Sequence, residues 1–155
     1  MSEKYIRADE TRKVPNVTIR AATESDERTI KQMVRTEHLD PTSLRWQHFL
    51  VAEHEGNIVG IGQLRDYPGC QELGSLVVLP EYRGSGIAGQ LIRALEARAG
   101  RPLYLFCRDR MESYYGRFGY KRIGYWSAPP ALRLKMLLPM TFRIFGIRII
   151  LMRKA

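Results

Sequence analysis

The chain has 155 residues, enough for one domain with a single hydrophobic core. Its composition, 45% hydrophobic and 26% charged, is typical of a globular protein, and no uncharged apolar run is long enough to span a membrane. The net charge of +9 is uneven: residues 1–82 carry 10 Lys and Arg against 13 Asp and Glu, whereas residues 83–155 carry 15 against 3. A basic half of this kind favours anionic ligands, such as a nucleotide cofactor, a nucleic acid or an anionic membrane, or it is simply a solvated basic surface.

Cys70 and Cys107 are the two cysteines, and they form no C-x-x-C pair. We therefore expect no metal site and a reducing, cytoplasmic compartment. Residues 1–9 have no apolar core of a signal peptide, and residues 1–16 are polar enough to predict a flexible N-terminal extension.

The first half of the chain predicts strands and one helix. Thr23 or Ser25 is expected to cap that helix, which carries Ile30, Met33 and Val34 at helical spacing. A hairpin is expected around the turn at 54–57, and Pro68-Gly69 predicts a turn in a loop at 65–70. The expected elements are strand 17–21, a helix that follows this cap and ends at about residue 37, strand 49–53 and strand 58–64.

A strand, a glycine-rich turn and a helix follow at residues 73–99. Leu76 to Leu79 form an apolar run closed by Pro80, and Gly84 and Gly86 lead into a helix at 87–99. The amides that begin a helix lack intrahelical partners, and the helix dipole is positive there. The arrangement predicts an anion site in which phosphate approaches main chain without interference from Cβ atoms.

The rest of the chain predicts three more strands and a short helix. Gly100 and Pro102 end the preceding helix. The expected elements are strand 103–107, helix 111–118, strand 120–126, an apolar and basic segment at 129–146, and strand 147–152.

Gly84-Ser-Gly-Ile-Ala-Gly89 matches the dinucleotide fingerprint G-x-G-x-x-G. Its context argues against that interpretation, because Pro80 to Arg83 separate the strand from the glycines. A dinucleotide-binding domain would also need more chain than the 66 residues that follow Gly89.

Arg83-Gly-Ser-Gly-Ile-Ala88 instead resembles R-x-x-G-x-A, the acyl-CoA pyrophosphate loop of the GNAT acyltransferase superfamily. Tyr115-Gly-Arg-Phe-Gly-Tyr120 resembles a second signature of that family, Y-x-[KR]-x-G-[FY], in the right order. The resemblance covers residues 17–154. It implies an α/β (α+β) fold of the GNAT type, with a central mixed, mostly antiparallel sheet flanked by helices, and one domain at 17–154 with an insertion at 129–146.

The resemblance also implies a set of site residues. Main-chain groups of Val77 and Val78 are expected to pair with pantetheine, and an N–H near Val78 to polarise the thioester. Tyr115 falls on the tyrosine that protonates the departing thiolate; its alternative role is aromatic packing. The family often has Asn seven residues earlier, where this chain has Arg108. The cofactor-binding loop is expected to comprise Arg83, Gly84, Ser85, Gly86, Ile87 and Ala88.

Glu72 stands at the start of the central strand, where several family members carry a catalytic carboxylate. It is the candidate base, acting directly or through water, provided that strand parity turns it toward the ligand. Cys107 lies on an apolar strand and is expected to be a buried structural thiol.

The function implied by the resemblance is an acetyl-CoA-dependent N-acetyltransferase acting on a primary amine in a ternary complex. A small molecule or amino acid that carries a carboxylate fits the basic excess. The alternatives are a non-catalytic acyl-CoA-binding module of the same fold and a basic protein that binds nucleic acid or a membrane surface. Neither nucleic acid nor membrane is favoured as a partner, while a homodimer remains open.

The segment at 129–146 is unusually apolar, with Arg133, Lys135 and Arg143 interleaved. A stretch of this kind would be hard to leave in water. It could cover the acceptor end of the ligand site as a flap, pack on a second subunit or lie on a membrane. We favour the flap, because Pro139 interrupts the segment and its apolar residues are not confined to one helix face.

Overall fold

The computed structural model describes residues 15–137 and 146–155. The predicted N-terminal extension lies almost wholly outside this range, and so does the second half of the apolar segment. Within the described ranges the helices are α1 (Glu27–Thr36), α2 (Ile87–Arg98), α3 (Glu112–Gly116) and α4 (Pro130–Leu137). The strands there are β1 (Thr18–Ala21), β2 (Phe49–His54), β3 (Asn57–Tyr67), β4 (Cys70–Val78), β5 (Leu103–Arg108), β6 (Tyr120–Ile123) and β7 (Ile149–Lys154).

Hydrogen bonds join the described strands in the order β1-β2-β3-β4-β5-β7-β6. The β1–β2, β2–β3, β5–β7 and β6–β7 pairs are antiparallel, and β4–β5 is parallel. The mixed, mostly antiparallel sheet that was expected is therefore present. Its strands belong to two compact units, and β4 contributes residues to both.

The first unit holds residues 15–65 and 74–98 of the described chain. Its core is formed by one face of α1 against β2, β3 and the end of β4, because Ile30, Met33 and Val34 recur at helical spacing and are buried. Thr23 caps the turn before α1, and its main-chain N–H donates to Asp26 Oδ2 at 2.7 Å in a capping box.

The hairpin between β2 and β3 has the predicted turn. His54 pairs with Asn57, and the two residues between them, Glu55 and Gly56, have φ angles of 49° and 79°. Two positive φ angles are characteristic of the turn whose twist matches that of paired strands.

The second unit holds residues 66–73, 99–137 and 146–155. Its core comprises Cys70, Tyr104, Ala128, Leu132 and Leu151. Leu132 is fully buried in this core, and Met136 packs against it, so one face of α4 is anchored there.

Three expectations are corrected by the structure. The loop expected at 65–70 is a two-residue turn, because β3 continues to Tyr67 and β4 already begins at Cys70. The strand expected at 120–126 ends at Ile123; the Ser127 N–H bonds to the Gly124 carbonyl, so the chain turns into a short 3-10 helix. The last strand begins two residues later than expected, at Ile149, where its pairing with Arg108 starts.

A fourth correction concerns the apolar segment. The expectation that its apolar side chains are buried is wrong for Leu134 and Leu137, which are 72% and 46% exposed. Both lie in α4 away from Leu132, so only one face of this helix is buried. Residues 138–145, including Pro139 and Arg143, lie outside the described residues.

Candidate functional site

The glycine loop, residues 83–88, connects β4 to α2 in the first unit. A 3-10 turn at Pro80–Tyr82 precedes it. Gly84 and Gly86 have φ angles of 76° and 82°, a left-handed conformation that disfavours residues with a Cβ. A Cβ added at Gly86 would meet no atom within 4 Å. The backbone angle therefore explains this glycine, and the space beside it is open to a ligand.

The start of α2 is held firmly behind this loop. The buried Ser85 hydroxyl donates to the Tyr82 carbonyl, and the Gln90 N–H makes the first helical bond to the Gly86 carbonyl at 3.1 Å. Ile87 and Leu91 are buried and anchor the first turns of the helix. The amides at the start of α2 have no intrahelical acceptor, and together with the helix dipole they favour an anion.

The Arg83 side chain supports the loop from behind. Its Nε donates to the Val78 carbonyl at 2.9 Å, and its Nη2 pairs with Glu37 Oε1 at 2.7 Å. The guanidinium thus ties the loop to the end of β4 and to the residue that follows α1. This contact gives Arg83 a positioning role in the loop, while a direct contact with phosphate stays a prediction.

β4 changes its backbone geometry in the middle. Its pairing with β5 runs from Gln71 to Leu73, and Ser75, two residues later, has a φ of 49°. A left-handed residue inside a strand interrupts the extended backbone, so the regular alternation of side-chain faces cannot be counted through it. Val77 and Val78 follow Ser75 and are both buried, so their proposed ligand contacts depend on main-chain groups.

A buried polar group surrounds Ser75, and neither sequence motif indicated it. The Gln63 side-chain amide lies 2.7 Å from Ser75 Oγ, and Arg65 Nη2 lies 3.3 Å from the same oxygen. Arg65, only 4% exposed, also donates to the Thr42 carbonyl at 3.2 Å and lies 3.5 Å from Asp40 Oδ2. It therefore attaches the segment after α1 to β3.

Glu72 lies in the second unit at the centre of a second polar group. Its carboxylate is 3% exposed. Lys135 Nζ lies 3.0 Å from Oε1 and 2.8 Å from Oε2, and the Tyr67 hydroxyl donates to Oε2 at 3.0 Å. With the Phe106 ring, whose centre is 5.5 Å from the Lys135 ammonium, these residues form what we call the Glu72 cluster.

The face of α4 that is anchored by Leu132 also carries Lys135. Leu132, Lys135 and Met136 are spaced by three and four residues, so they lie on one side of the helix. Leu132 is fully buried, and Met136 packs against the same core. Burial of this face directs the Lys135 side chain toward Glu72, which neither sequence motif indicated.

Burial alters the acidity of groups near this cluster. Loss of water raises the pKa of the Tyr67 phenol, and the negative charge of Glu72 raises it further. Tyr67 therefore remains a proton donor to the carboxylate at neutral pH. Burial also raises the pKa of Cys107 to about 12, with smaller contributions from Glu112 and Asp109, so this thiol is inert as expected.

Tyr115 lies on α3, also in the second unit, and is half-buried. Its ring makes edge contacts with Tyr114 and Tyr120, at centroid distances of 5.2 and 6.2 Å. These contacts fit the packing alternative and leave the proposed acid role as a prediction. The structure thus gathers the predicted cofactor-binding residues at the end of β4 and the start of α2, and holds Glu72 and Tyr115 on separate elements of the other unit.

Neither a metal cluster nor a membrane-spanning helix is present in residues 15–137 and 146–155. No group of three or more His, Cys, Asp and Glu residues in these ranges could hold a metal ion. No helix in them is long and apolar enough to cross a membrane.

Comparison with known structures shows a widely shared fold. An N-acetylglutamate synthase from Neisseria gonorrhoeae, in complex with coenzyme A and N-acetyl-glutamate, matches 90% of the chain at 21% identity, with a TM-score of 0.71. The match covers 35% of that enzyme, so the chain spans about a third of its length. The Rv2747 protein of Mycobacterium tuberculosis in complex with CoA matches 86% of the chain and 97% of its own length, at 22% identity and a TM-score of 0.71.

An acyl-CoA N-acyltransferase from Pseudomonas aeruginosa matches 90% of the chain and 99% of its own length, at 21% identity and a TM-score of 0.61. No curated protein sequence matches the chain significantly. The sequence model of the GNAT acetyltransferase domain matches residues 45–122, which include β4, the glycine loop and Tyr115. The fold is that of the acyl-CoA N-acyltransferases, and the chain belongs to the GNAT acetyltransferase family.

Proposed function

We propose that the chain transfers an acetyl group from acetyl-CoA to a primary amine by direct attack in a ternary complex. The observation that carries the proposal is the glycine loop, in which Gly84 and Gly86 have positive φ angles at the start of α2. A loop of this kind suits the pyrophosphate of coenzyme A. Family membership supports acyl transfer in general, and two structural neighbours hold CoA.

Binding of acetyl-CoA begins at the glycine loop in this proposal. Amides from Gly84 to Ala88 receive the pyrophosphate, while Arg83 keeps the loop attached to Val78 and Glu37. Main-chain groups of Val77 and Val78 pair with pantetheine, as the family resemblance implies. An N–H near Val78 then polarises the thioester carbonyl, a contribution of roughly 3–4 kcal/mol to the stability of the transition state.

Proton removal from the acceptor amine is assigned to Glu72. Tyr67 and Lys135 both contact its carboxylate and hold it in a defined position. A carboxylate can take a proton from an ammonium directly or through water. The amine then attacks the acetyl carbon, and binding both reactants at one site supplies the largest gain in rate.

Protonation of the departing thiolate is assigned to Tyr115. A phenol with an ordinary pKa of about 10 suits a thiol leaving group of slightly lower pKa. The reaction consumes acetyl-CoA and a primary amine, and it yields an N-acetyl amide and CoA.

The acceptor that we favour is a small amine that also bears a carboxylate, such as an amino acid. Residues 83–155 contain 15 basic residues against 3 acidic ones, and this positive charge would attract such a molecule. N-acetyl-glutamate is bound in one structural neighbour, which agrees with this class of acceptor. The cytoplasmic location and the homodimer remain predictions.

The decisive experiment is a thiol-release assay with acetyl-CoA against a panel of primary amines, including amino acids, polyamines and lysine peptides. We expect release with at least one amine and its loss in Glu72→Gln. The loss should be greatest at low pH, where the amine is mostly protonated and most needs a base. A chain that binds CoA but releases no thiol would instead be a non-catalytic acyl-CoA-binding module. Salt-sensitive binding to DNA or anionic vesicles without CoA binding would instead indicate a basic protein that binds nucleic acid or a membrane surface.

A further inference from the structure

Large apolar side chains are exposed together at one place in the second unit. Leu134 and Leu137 of α4 are 72% and 46% exposed, and Trp126, in the 3-10 helix that precedes α4, is 82% exposed. Among the described residues, the exposed large apolar side chains all lie between residues 126 and 137. Single exposed apolar residues are common on protein surfaces, whereas a cluster of them marks an interaction surface.

α4 has two apolar faces that point in opposite directions. Leu132 and Met136, four residues apart, are directed into the core of the second unit. Leu134 and Leu137, three residues apart, lie on the other side of the helix and face solvent. The sequence argued against a membrane contact because the apolar residues of this segment are not confined to one helix face. The structure removes that argument, since the core covers one face and leaves the other exposed.

Arg133 joins Trp126 to the exposed face of α4. Its Nε donates to the Ala128 carbonyl and its Nη2 to the Trp126 carbonyl, both at 3.0 Å. Leu134 follows Arg133 directly, and Leu137 lies one turn further along the helix. These bonds use main-chain carbonyl groups and leave the Trp126 ring exposed. Trp126, Arg133, Leu134 and Leu137 therefore form one surface, which we call the α4 surface.

The charge near this surface selects an anionic partner. Residues 113–155 contain nine Lys and Arg and no Asp or Glu, and Lys121, Arg148 and Arg153 are exposed. A second copy of the chain would bring the same positive charge against this surface, so repulsion opposes self-association. Nucleic acid would satisfy the charge but not the exposed leucines, because most protein contacts with it are to phosphate and sugar. An anionic lipid surface matches both the charge and the apolar side chains.

We infer that the α4 surface docks on an anionic membrane, an interaction that goes beyond the proposed function. Leu134, Leu137 and Trp126 enter the boundary between headgroups and acyl chains, while the Lys and Arg side chains stay with the headgroups. The electrostatic part of this attraction weakens as salt is added. Lys135 faces the Glu72 cluster on the opposite side of α4, so docking leaves that cluster in place.

The first test is cosedimentation of the full chain with lipid vesicles. Vesicles of phosphatidylcholine that contain about one third phosphatidylserine are compared with vesicles of phosphatidylcholine alone. We expect binding to the anionic vesicles to be at least about tenfold tighter, and to weaken as sodium chloride is raised from about 0.1 M to about 0.5 M. No binding to the anionic vesicles, or equal binding to both kinds, would overturn the inference.

Charge variants test which surface makes the contact. Leu134→Glu places a carboxylate on the α4 surface and should weaken binding to anionic vesicles at least about tenfold, because it removes an apolar contact and adds repulsion. Gln32→Glu is the matched control, since Gln32 is an exposed residue of α1 in the first unit. It changes the net charge equally and should alter binding by no more than about twofold. Equal losses in the two variants would show that net charge alone drives binding.

Tryptophan fluorescence tests whether Trp126 itself enters the lipid. The chain has two tryptophans, and the other, Trp46, packs against the core of the first unit. In Trp46→Phe the emission should therefore come from Trp126 and move to shorter wavelength when anionic vesicles are added. The unmodified chain should show a smaller shift in the same direction, which preserves the test if Trp46→Phe is destabilised. An unchanged spectrum of vesicle-bound protein would place the contact elsewhere.

The same variants distinguish the other partners. A dimer in sedimentation velocity that Leu134→Glu dissociates, without vesicle binding, would make a second copy the occupant of the α4 surface. Binding to DNA that Leu134→Glu leaves unchanged, again without vesicle binding, would assign the basic residues to nucleic acid. Either result overturns the inference. The CoA-induced rise in melting temperature and thiol release should be the same in Leu134→Glu as in the parent, so failure of the proposed function is recognised separately.

Discussion

Glu72 shows how strongly one residue depends on partners that are distant in sequence. The family resemblance suggested a carboxylate at the start of the central strand, but the contacts of this carboxylate come from Tyr67 and from Lys135, 63 residues later in the chain. The ion pair and the phenol hold the carboxylate in place while it is buried. A buried charge without such partners would be too costly to keep ionised.

Tyr115→Phe tests the proposed general acid at this scale. We expect turnover to fall by about a hundredfold, because proton donation to a leaving group contributes this much. The rise in melting temperature caused by CoA should be unchanged, since the phenol acts on the thiolate and the pyrophosphate is bound elsewhere. Steady-state kinetics and thermal unfolding measure the two effects separately. Full activity of the variant would assign Tyr115 to ring packing with Tyr114 and Tyr120.

Asp26→Asn tests an ion pair that is away from the proposed chemistry. The Arg20 hydrogen bond, at 2.8 Å, is the main reason that the pKa of Asp26 falls from 3.8 to about 2, and bonds from Thr23 contribute. A lowered pKa in the folded state stabilises the fold above the unfolded value, and this stability is lost as the pH falls through about 2.

We therefore expect the variant to lose about 1–2 kcal/mol of unfolding free energy at pH 7, and the difference from the parent to shrink below about pH 4. Urea unfolding at a series of pH values measures this difference in unfolding free energy. An equal loss at pH 7 and pH 2.5 would show that the charge of Asp26 is not the cause.

The elements of the site differ in how they are held. The glycine loop is fixed at both ends, by Arg83 on the β4 side and by buried Ile87 at the start of α2. In α4, by contrast, Leu132 is fully buried while Leu134 and Leu137 remain exposed. A helix held on one face can carry Lys135 to Glu72 and still present apolar side chains to solvent or to a partner.

Gly86→Asp tests the glycine loop. The new carboxylate would repel phosphate where the loop must bind it, so the rise in melting temperature caused by CoA should disappear. Gly69→Asp is the matched control, because Gly69 also has a positive φ, 78° against 82°, and a Cβ added there would likewise meet no atom within 4 Å. Each substitution should lower the unfolding free energy by about 1–2 kcal/mol, because a residue with a Cβ is strained at a positive φ. Gly69→Asp should nevertheless keep the rise in melting temperature caused by CoA. Thermal unfolding with and without CoA compares the two variants. An equal rise in melting temperature with CoA in both would exclude the loop as the phosphate site.

Leu132→Ala and Leu134→Ala compare the two faces of α4. We expect the first to lower the unfolding free energy by about 2–5 kcal/mol, because it removes a fully buried side chain and leaves a cavity. Leu134→Ala should change the unfolding free energy by no more than about 0.5 kcal/mol, because this side chain is 72% exposed. Urea denaturation of both variants gives the comparison. Similar losses would mean that Leu134 is covered by a partner in solution.

At the scale of the whole molecule, the distribution of charge matches the proposed ligand. The half of the chain that begins with Arg83 carries all of the positive excess, since residues 1–82 are net negative, and CoA carries several phosphates. Long-range attraction of this kind raises the rate of ligand association and weakens with salt.

We expect saturating CoA to raise the melting temperature, because a ligand that binds only the folded state stabilises it by mass action. At about a hundred times its Kd the gain in unfolding free energy is about 2.7 kcal/mol. The shift should decrease as the salt concentration rises at fixed CoA. Adenosine, which lacks the pyrophosphate and pantetheine, is the control ligand. The absence of any shift at millimolar CoA would count against the proposed function.

Local sequence was enough to predict much of the fold. Residues only a few positions apart decide the helical spacing in α1, the hairpin turn before Asn57 and the glycines before α2. The sequence therefore predicts these elements. The family resemblance added the mixed sheet and the identity of the glycine loop. Element ends were less predictable: β6 stops at Ile123 although aromatic residues follow, because hydrogen bonding at Gly124 turns the chain.

Tertiary structure alone decided which side chains reach the candidate base. Lys135 belongs to a segment whose sequence is simply apolar and basic, and its spacing says nothing about Glu72. The left-handed backbone at Ser75 likewise interrupts the regular alternation of faces, so counting residues along β4 could not orient the side chains beyond it. A motif records neighbours along the chain, whereas an ion pair between residues 63 positions apart exists only when burial of Leu132 places α4 on its core.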